Sequence, residues 1–295
     1  MGLTPDYSHL SQNAANLLDG NDTRRITAIR EERWINYPRA SRCLELLDSL
    51  LVRPRTTRMP SIAIYADSGM GKTMLMERFK RAHPSSFNKA NRQLIAPVVA
   101  LQMASHPTER RFYSHLLTSI GVPFTPRATI VELEMQALRN LRRMEVKILM
   151  LDEVHNLLAG SAKEQRVFLN LLRYLSNELQ ISLVCLGVAE AREAVSGDVQ
   201  LARRFEEFPL TRWQGDEEFQ ELVVAIVRHL PLKLKTNISA RSLRQVLQLT
   251  EGLTAQIFKM FGEMALGAID SGVECISDES IEAWRPSDRY QPAYA

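Results

Sequence analysis

The sequence is poor in cysteine: among 295 residues only Cys43, Cys185 and Cys275 occur, odd in number and far apart. That excludes a disulfide scaffold and offers no metal-ligand spacing, and each thiol reads as a small buried hydrophobe. Long apolar runs are also missing. No stretch approaches the roughly 18 residues that a membrane-spanning helix requires. The opening Met1-Gly2-Leu3-Thr4-Pro5-Asp6 lacks the basic-then-apolar build of a secretory leader. The expected setting is the cytoplasm, with no membrane partner.

A large net charge is the third absence. The total is only +3, but residues 76–147 carry twelve Lys or Arg against five Glu, while residues 148–295 carry fifteen basic against twenty-one acidic side chains. The positive surplus therefore sits in one segment, which suits either a surface facing a polyanion or Arg-rich helix faces in solvent. With 45% hydrophobic and 24% charged residues, the chain can bury a substantial core as one large or two modest domains.

What is present is a phosphate-binding pattern. The apolar run Ile62-Ala63-Ile64-Tyr65 leads through Ala66 into Asp67-Ser68-Gly69-Met70-Gly71-Lys72-Thr73. In such a loop backbone N–H groups turn around an anion, the lysine reaches the terminal phosphates, and the Thr hydroxyl ligates Mg²⁺ at a helix N-terminus. Gly69 and Gly71 permit the close backbone approach. The usual pattern has Gly six residues before the lysine; Ala66 stands there instead, which is tolerable where φ stays negative. ATP with Mg²⁺ is the expected ligand, held by residues Ala66 to Thr73.

A second apolar strand, Lys147-Ile148-Leu149-Met150-Leu151, ends in Asp152-Glu153. In an open parallel sheet ligands sit beyond the carboxyl ends of the strands. Asp152 is thus expected to hold the Mg²⁺ and Glu153 to polarise the attacking water as general base. An acidic pair capping the next helix is the plainer alternative. Asp-Glu-Val-His is similar to the acidic box of superfamily-two helicases. Those enzymes need a second motor domain, and no second strand-rich block follows residue 213, so His155 is read as a loop or supporting residue.

Around these two stretches the periodicity predicts a polar, extended or weakly helical arm over 1–30 and helices over 38–52, 71–82, 108–120, 129–144 and 162–179. Strands are predicted over 94–103, 181–188 and 208–210. Four further helices are predicted over 216–229, 239–249, 254–271 and 277–284. The expected organisation is an N-terminal arm and helix over 1–55, a nucleotide-binding α/β domain over 56–213, an all-helical lid over 214–285 and a tail over 286–295, read as disordered or as a partner-binding peptide.

Five strands alternating with helices, a phosphate loop after the first, an acidic pair after the third and a helical lid resemble an AAA+ ATPase, a P-loop NTPase with a five-stranded parallel sheet flanked by helices. The blocks Trp34-Ile35-Asn36-Tyr37-Pro38-Arg39-Ala40, Asp67 to Thr73, Val98 to Met103 with Pro107-Thr108-Glu109-Arg110-Arg111-Phe112-Tyr113, and Asp152 to Leu158 together resemble the TniB and TnsC family of transposition regulators. The resemblance implies an ATP-dependent protein that assembles on double-stranded target DNA as a ring or filament, with little sequence preference, and recruits or activates a transposase, with a target-selection protein as a further partner. It also implies an arginine finger acting on a neighbouring subunit's nucleotide. Arg203 and Arg204 are the candidates, and the Arg-Phe pair favours Arg204. Candidate DNA-phosphate contacts are Arg110, Arg111, Arg139, Arg142 and Arg143.

Slow hydrolysis is expected, because Gly187-Val188 stands where many AAA+ proteins have a polar sensor and the segment Gly252-Leu253-Thr254-Ala255-Gln256 lacks the arginine often found there. Two other readings stay open. A helicase-loader or replication-initiator ATPase would share these motifs, although too few residues follow the lid for an appended winged-helix domain. A nucleotide-binding scaffold without significant hydrolysis would use Glu153 only as a cap.

Overall fold

The computed structural model describes residues 7–31, 33–189, 192 and 199–285. It divides into two compact units, residues 42–211 and residues 1–41 together with 212–295. The tail considered over 286–295 lies outside the described residues. No helix among the described residues is long and apolar enough to cross a membrane.

The unit of residues 42–211 is built on a five-stranded sheet of β1 (Ser61–Ala66), β4 (Val98–Gln102), β5 (Ile148–Asp152), β6 (Ser182–Gly187) and β7 (Phe205–Leu210), in the order β4-β5-β6-β1-β7. All four pairings are parallel. The central strands β5 and β6 are buried along their whole length, which explains their uninterrupted apolar sequence, as expected of strands covered on both faces. Among the described residues strand β7 is an edge: it pairs with β1 alone and carries exposed Glu206 and Glu207 and the edge-tolerated Pro209. Helices α4 (Lys72–Ala82), α5 (Glu109–Ser119), α6 (Ile130–Arg143) and α7 (Ala162–Leu179) flank the sheet. Leu149, Leu151, Leu183 and Cys185 from the strands meet Phe112, Leu116, Leu133, Leu141, Phe168 and Leu172 from α5, α6 and α7 in one core.

The strand predicted over 94–103 is two. A small antiparallel hairpin, β2 (Ser86–Asn88) and β3 (Gln93–Ile95), precedes β4, and Pro97 separates it from the main sheet. Proline cannot donate to a ladder, but the Pro97 carbonyl accepts from the N–H groups of Lys147 and Ile148 and so starts the β4–β5 pairing. The strand predicted at 208–210 begins three residues earlier, directly after Arg204.

In the other unit, helices α9 (Glu217–Arg228), α10 (Ala240–Thr250), α11 (Thr254–Asp270) and α12 (Asp278–Ala283) form the expected helical C-terminal set; the short α8 (Val199–Ala202) precedes β7. Gly252 lies at φ 66°, where a Cβ would sit 2.6 Å from the Trp213 carbonyl oxygen, while its own carbonyl accepts from the Trp213 N–H at 2.9 Å. The backbones therefore approach as only glycine permits.

The arm expected to be extended or weakly helical contains two capped helices, α1 (Gln12–Leu17) and α2 (Asp22–Arg30). Ser11 accepts from the Ala14 N–H, and Asn21 accepts from the Arg24 N–H. Arg25 from α2 is fully buried. Its guanidinium donates to the Pro231 carbonyl at 2.8 and 3.0 Å and to Glu274 Oε1 at 2.9 Å, and it forms a two-point ion pair with that carboxylate. Lys233 reaches the same carboxylate. Burial alone pushes the Glu274 carboxyl up, but hydrogen bonds from Arg25 and Lys233 outweigh it and hold the group below its ordinary value.

Removing one partner of a buried pair strands the other charge, so Arg25→Ala should cost about 3–5 kcal/mol of stability, read as a lowered midpoint in urea. Because the folded-state value of Glu274 is depressed, its contribution is present above the ordinary carboxyl pKa of about 4.3 and lost as pH falls through the lower folded value. Thermal melts between pH 6 and pH 3 should show that loss, and Glu274→Gln should remove it.

Candidate nucleotide-binding site

The loop between β1 and α4 owes its shape to two glycines. Gly69 and Gly71 adopt φ 79° and 89°, the left-handed region, whereas Ala66 has no positive φ and closes β1 as its last, buried residue. The substitution of Ala for Gly is therefore accommodated at the strand end. Gly71 is the N-cap of α4 and provides no side-chain cap, so the first-turn N–H groups of an 11-residue helix are left for an anion. Lys72 is buried, and its ammonium donates to the carbonyls of Ala66 at 2.8 Å and Asp67 at 3.0 Å. Burial lowers its pKa, opposed by the negative charges of Glu153, Asp152 and Asp67 in that order.

Strand β6 lies between β1 and β5 in the sheet, yet the two loops meet. The Thr73 hydroxyl donates to Asp152 Oδ2 at 2.7 Å. Asp152 is 1% exposed, and its other oxygen accepts the Glu153 N–H at 2.8 Å, so the buried carboxylate is satisfied. Its backbone pairs with the neighbouring strand, where Met103 N–H donates to the Asp152 carbonyl. Glu153 then turns the chain at φ 57°, ψ 39°, a left-handed conformation that costs a non-glycine residue about 1 kcal/mol. A short 3-10 helix, Val154–Ala159, follows in place of the loop expected there. Glu153 caps it by position but makes no side-chain cap hydrogen bond; its carboxylate instead pairs with His155 Nε2 at 3.0 Å.

These groups fit a magnesium-nucleotide. A Mg²⁺ ion takes hard oxygen donors and keeps most of its shell for water and phosphate, and Thr73 with Asp152 supplies one hydroxyl and one carboxylate. No cluster of three or more His, Cys, Asp or Glu that would make an all-protein metal cage occurs among the described residues.

Arg203 and Arg204 lie at the far end of the sheet. Strand β7 runs parallel to β1 from Ser61↔Phe205 to Ala66↔Leu210, so the arginines stand about 20 Å of strand away from the phosphate loop. Arg204 donates to Asn177 Oδ1 at 2.7 Å. Arg203 is exposed and, with Arg53, Arg58 and Arg204, lines a cavity of about 770 Å³. Arg55, between the two linker arginines, is committed to the carbonyls of Leu179 and Val146 and thereby fixes the linker that carries Arg53 and Arg58. The run Arg53-Pro54-Arg55-Thr56-Thr57-Arg58 leads into β1, and the fold brings it beside Arg203.

The five candidate DNA-contacting arginines do not form one patch. Arg110 donates to the carbonyls of Pro126 and Ala128, ahead of α6, whereas Arg142 pairs with Glu178 and stands with Arg143 in the last turn of α6. The 14-residue helix separates these groups by about 20 Å. All five arginines are exposed.

Solved structures of similar fold include ORC2 of Aeropyrum pernix in complexes with ADPNP and ADP, which is 16% identical with a TM-score of 0.60 over 86% of this chain and 69% of that one. Cdc6p of Pyrobaculum aerophilum is 15% identical with a TM-score of 0.58 over 83% and 66%, and Aeropyrum pernix ORC1 in complex with DNA is 16% identical with a TM-score of 0.58 over 88% and 68%. At such identities the likeness carries the fold, which is that of an AAA+ P-loop NTPase. No curated protein sequence matches significantly. The profile of the family described as bacterial TniB protein matches residues 25–215. That match takes in the phosphate loop, the acidic strand end and well over half of the sequence, and the chain belongs to the TniB family.

Proposed function

We propose that this protein is a Mg²⁺-dependent ATPase that assembles on duplex DNA when ATP is bound and recruits or activates a transposase there. The observation that carries the nucleotide part is the Thr73–Asp152 hydrogen bond beside Lys72: lysine, hydroxyl and carboxylate converge at the open end of α4. Family membership supports the transposition role, and the archaeal ORC1 neighbour is itself a DNA complex.

On this reading the N–H groups of the loop and Lys72 bind the phosphates, and Thr73 and Asp152 would hold the Mg²⁺. The ion supplies charge neutralisation where the phosphates are cleaved. Glu153 orients the attacking water and accepts its proton. Arg203 is too far from its own loop to act in the same subunit, which supports a role on the nucleotide of a second copy. Its exposure in an arginine-lined cavity favours it over Arg204, whose guanidinium is engaged by Asn177. For DNA, all five arginines are exposed; Arg110 and Arg142 are drawn into carbonyl and carboxylate contacts of this chain, which favours Arg111, Arg139 and Arg143 as the candidates.

Electron microscopy with duplex DNA tests the assembly: rings or filaments are expected only when DNA and a nonhydrolysable ATP analogue are both present, and indifference to nucleotide would refute the reading. Glu153→Gln should bind ATP normally, lower steady-state turnover by about 10²–10³-fold and prolong the assembled state, whereas a nucleotide-binding scaffold would be unchanged. Lys72→Ala and Arg203→Ala should each abolish turnover alone, and their mixture should recover part of it, since each supplies what the other lacks. No recovery on mixing would place the missing arginine elsewhere.

A further inference from the structure

We propose that His155 is a positioning residue for Glu153, holding the water-orienting carboxylate toward the phosphate loop before nucleotide arrives. The inference rests on the ATPase reading above and deepens it.

Residues two apart on a helix face away from each other, yet His155 Nε2 lies 3.0 Å from Glu153 Oε2. The left-handed turn at Glu153, φ 57° and ψ 39°, brings the two side chains together. A non-glycine residue held in that conformation signals surroundings that enforce it, and here they are identifiable. The Glu153 N–H donates to Asp152 Oδ1 at 2.8 Å, the Glu153 carbonyl accepts the Asn156 N–H at 3.0 Å, and Asn156 Nδ2 donates to the Met103 carbonyl at 3.0 Å at the end of the adjacent strand. The turn is pinned on both sides, so the carboxylate is left to rotate about its own side-chain bonds, and His155 restrains that rotation.

The histidine is itself oriented by its surroundings. Its Nδ1 is buried and has no hydrogen-bond partner among the described residues. A neutral imidazole carries one proton. On Nε2 that proton is donated to Glu153, and Nδ1 remains a bare acceptor. On Nδ1 it would bury an unpaired donor and set the Nε2 lone pair against the carboxylate. The site therefore selects the tautomer that tethers Glu153. The tethered carboxylate remains beside the phosphate loop: burial lowers the Lys72 pKa, and the charge of Glu153 is among those that oppose it, with Asp152 and Asp67.

Two measurements test the proposal. In nucleotide-free protein labelled with ¹⁵N-histidine, long-range ¹H–¹⁵N spectra should report His155 with its proton on Nε2, and Glu153→Ala should shift that signal toward a mixture of tautomers; an unchanged signal would overturn the tether. In steady-state assays His155→Ala should lower kcat by about tenfold with KM unchanged, and His155→Gln, which keeps an N–H donor on a chain of similar reach, should recover most of the loss. An unchanged or increased kcat in His155→Ala, or a Gln variant as impaired as Ala, would overturn the positioning role. A wild-type protein with no turnover would remove the ATPase reading and this role together, while the nucleotide-free spectra would still report whether the histidine holds the carboxylate.

Discussion

The hydrogen bond from the Thr73 hydroxyl to Asp152 is the contact on which the site depends. It joins two loops whose strands are not neighbours, because β6 lies between β1 and β5. Parallel pairing throughout the sheet makes the meeting possible: every strand delivers its carboxyl end to one rim, so a loop leaving β1 and an acid leaving β5 converge there. Burial then narrows the choice of partners. An almost inaccessible carboxylate must find hydrogen bonds or surrender its charge, and the hydroxyl of Thr73 and the N–H of Glu153 provide them. The same oxygens are what a hard divalent cation would take.

The two ends of the central sheet carry opposite chemistry. At the carboxyl rim stand Asp152, Glu153 and the phosphate loop; at the amino rim stand Arg203, Arg204, Arg53 and Arg58 around an open cavity. On the proposed function, this polarity would suit head-to-tail association, in which the cationic end of one copy would meet the nucleotide of the next, and heterologous contacts of that kind generate rings or filaments. Arg55, spent on two helix-end and turn carbonyls, illustrates how one basic run divides its labour between holding backbone and presenting charge.

Much of the architecture was legible in residue order. The apolar runs at Ile62–Tyr65, Ile148–Leu151 and Ser182–Leu186 became strands of the main sheet, and the amphipathic helices from Pro38 onward fall within a residue or two of their expected limits. The failures have physical causes. Pro97 sits inside an apolar stretch that otherwise reads as one strand, and its missing donor splits that stretch into a hairpin strand and a sheet strand. The helices α1 and α2 are short and polar, so periodicity is silent about them; Ser11 and Asn21 as caps were the available signal. A buried arginine in such a segment cannot be anticipated, because its carboxylate partner, Glu274, is 249 residues away.

Residue order by itself determined the chemistry of the site: Gly69 and Gly71 where φ must be positive, a lysine and a hydroxyl opening a helix, and an acid pair ending an apolar strand. It could do so because those requirements are local, met within a few consecutive residues. Which groups touch was decided by the tertiary structure alone. The pairing of Arg204 with Asn177, the separation of Arg110 from Arg142, the gathering of Arg53 and Arg58 beside Arg203 and the tether from His155 to Glu153 depend on strand order, helix length and one left-handed turn, and these are properties of packing in three dimensions.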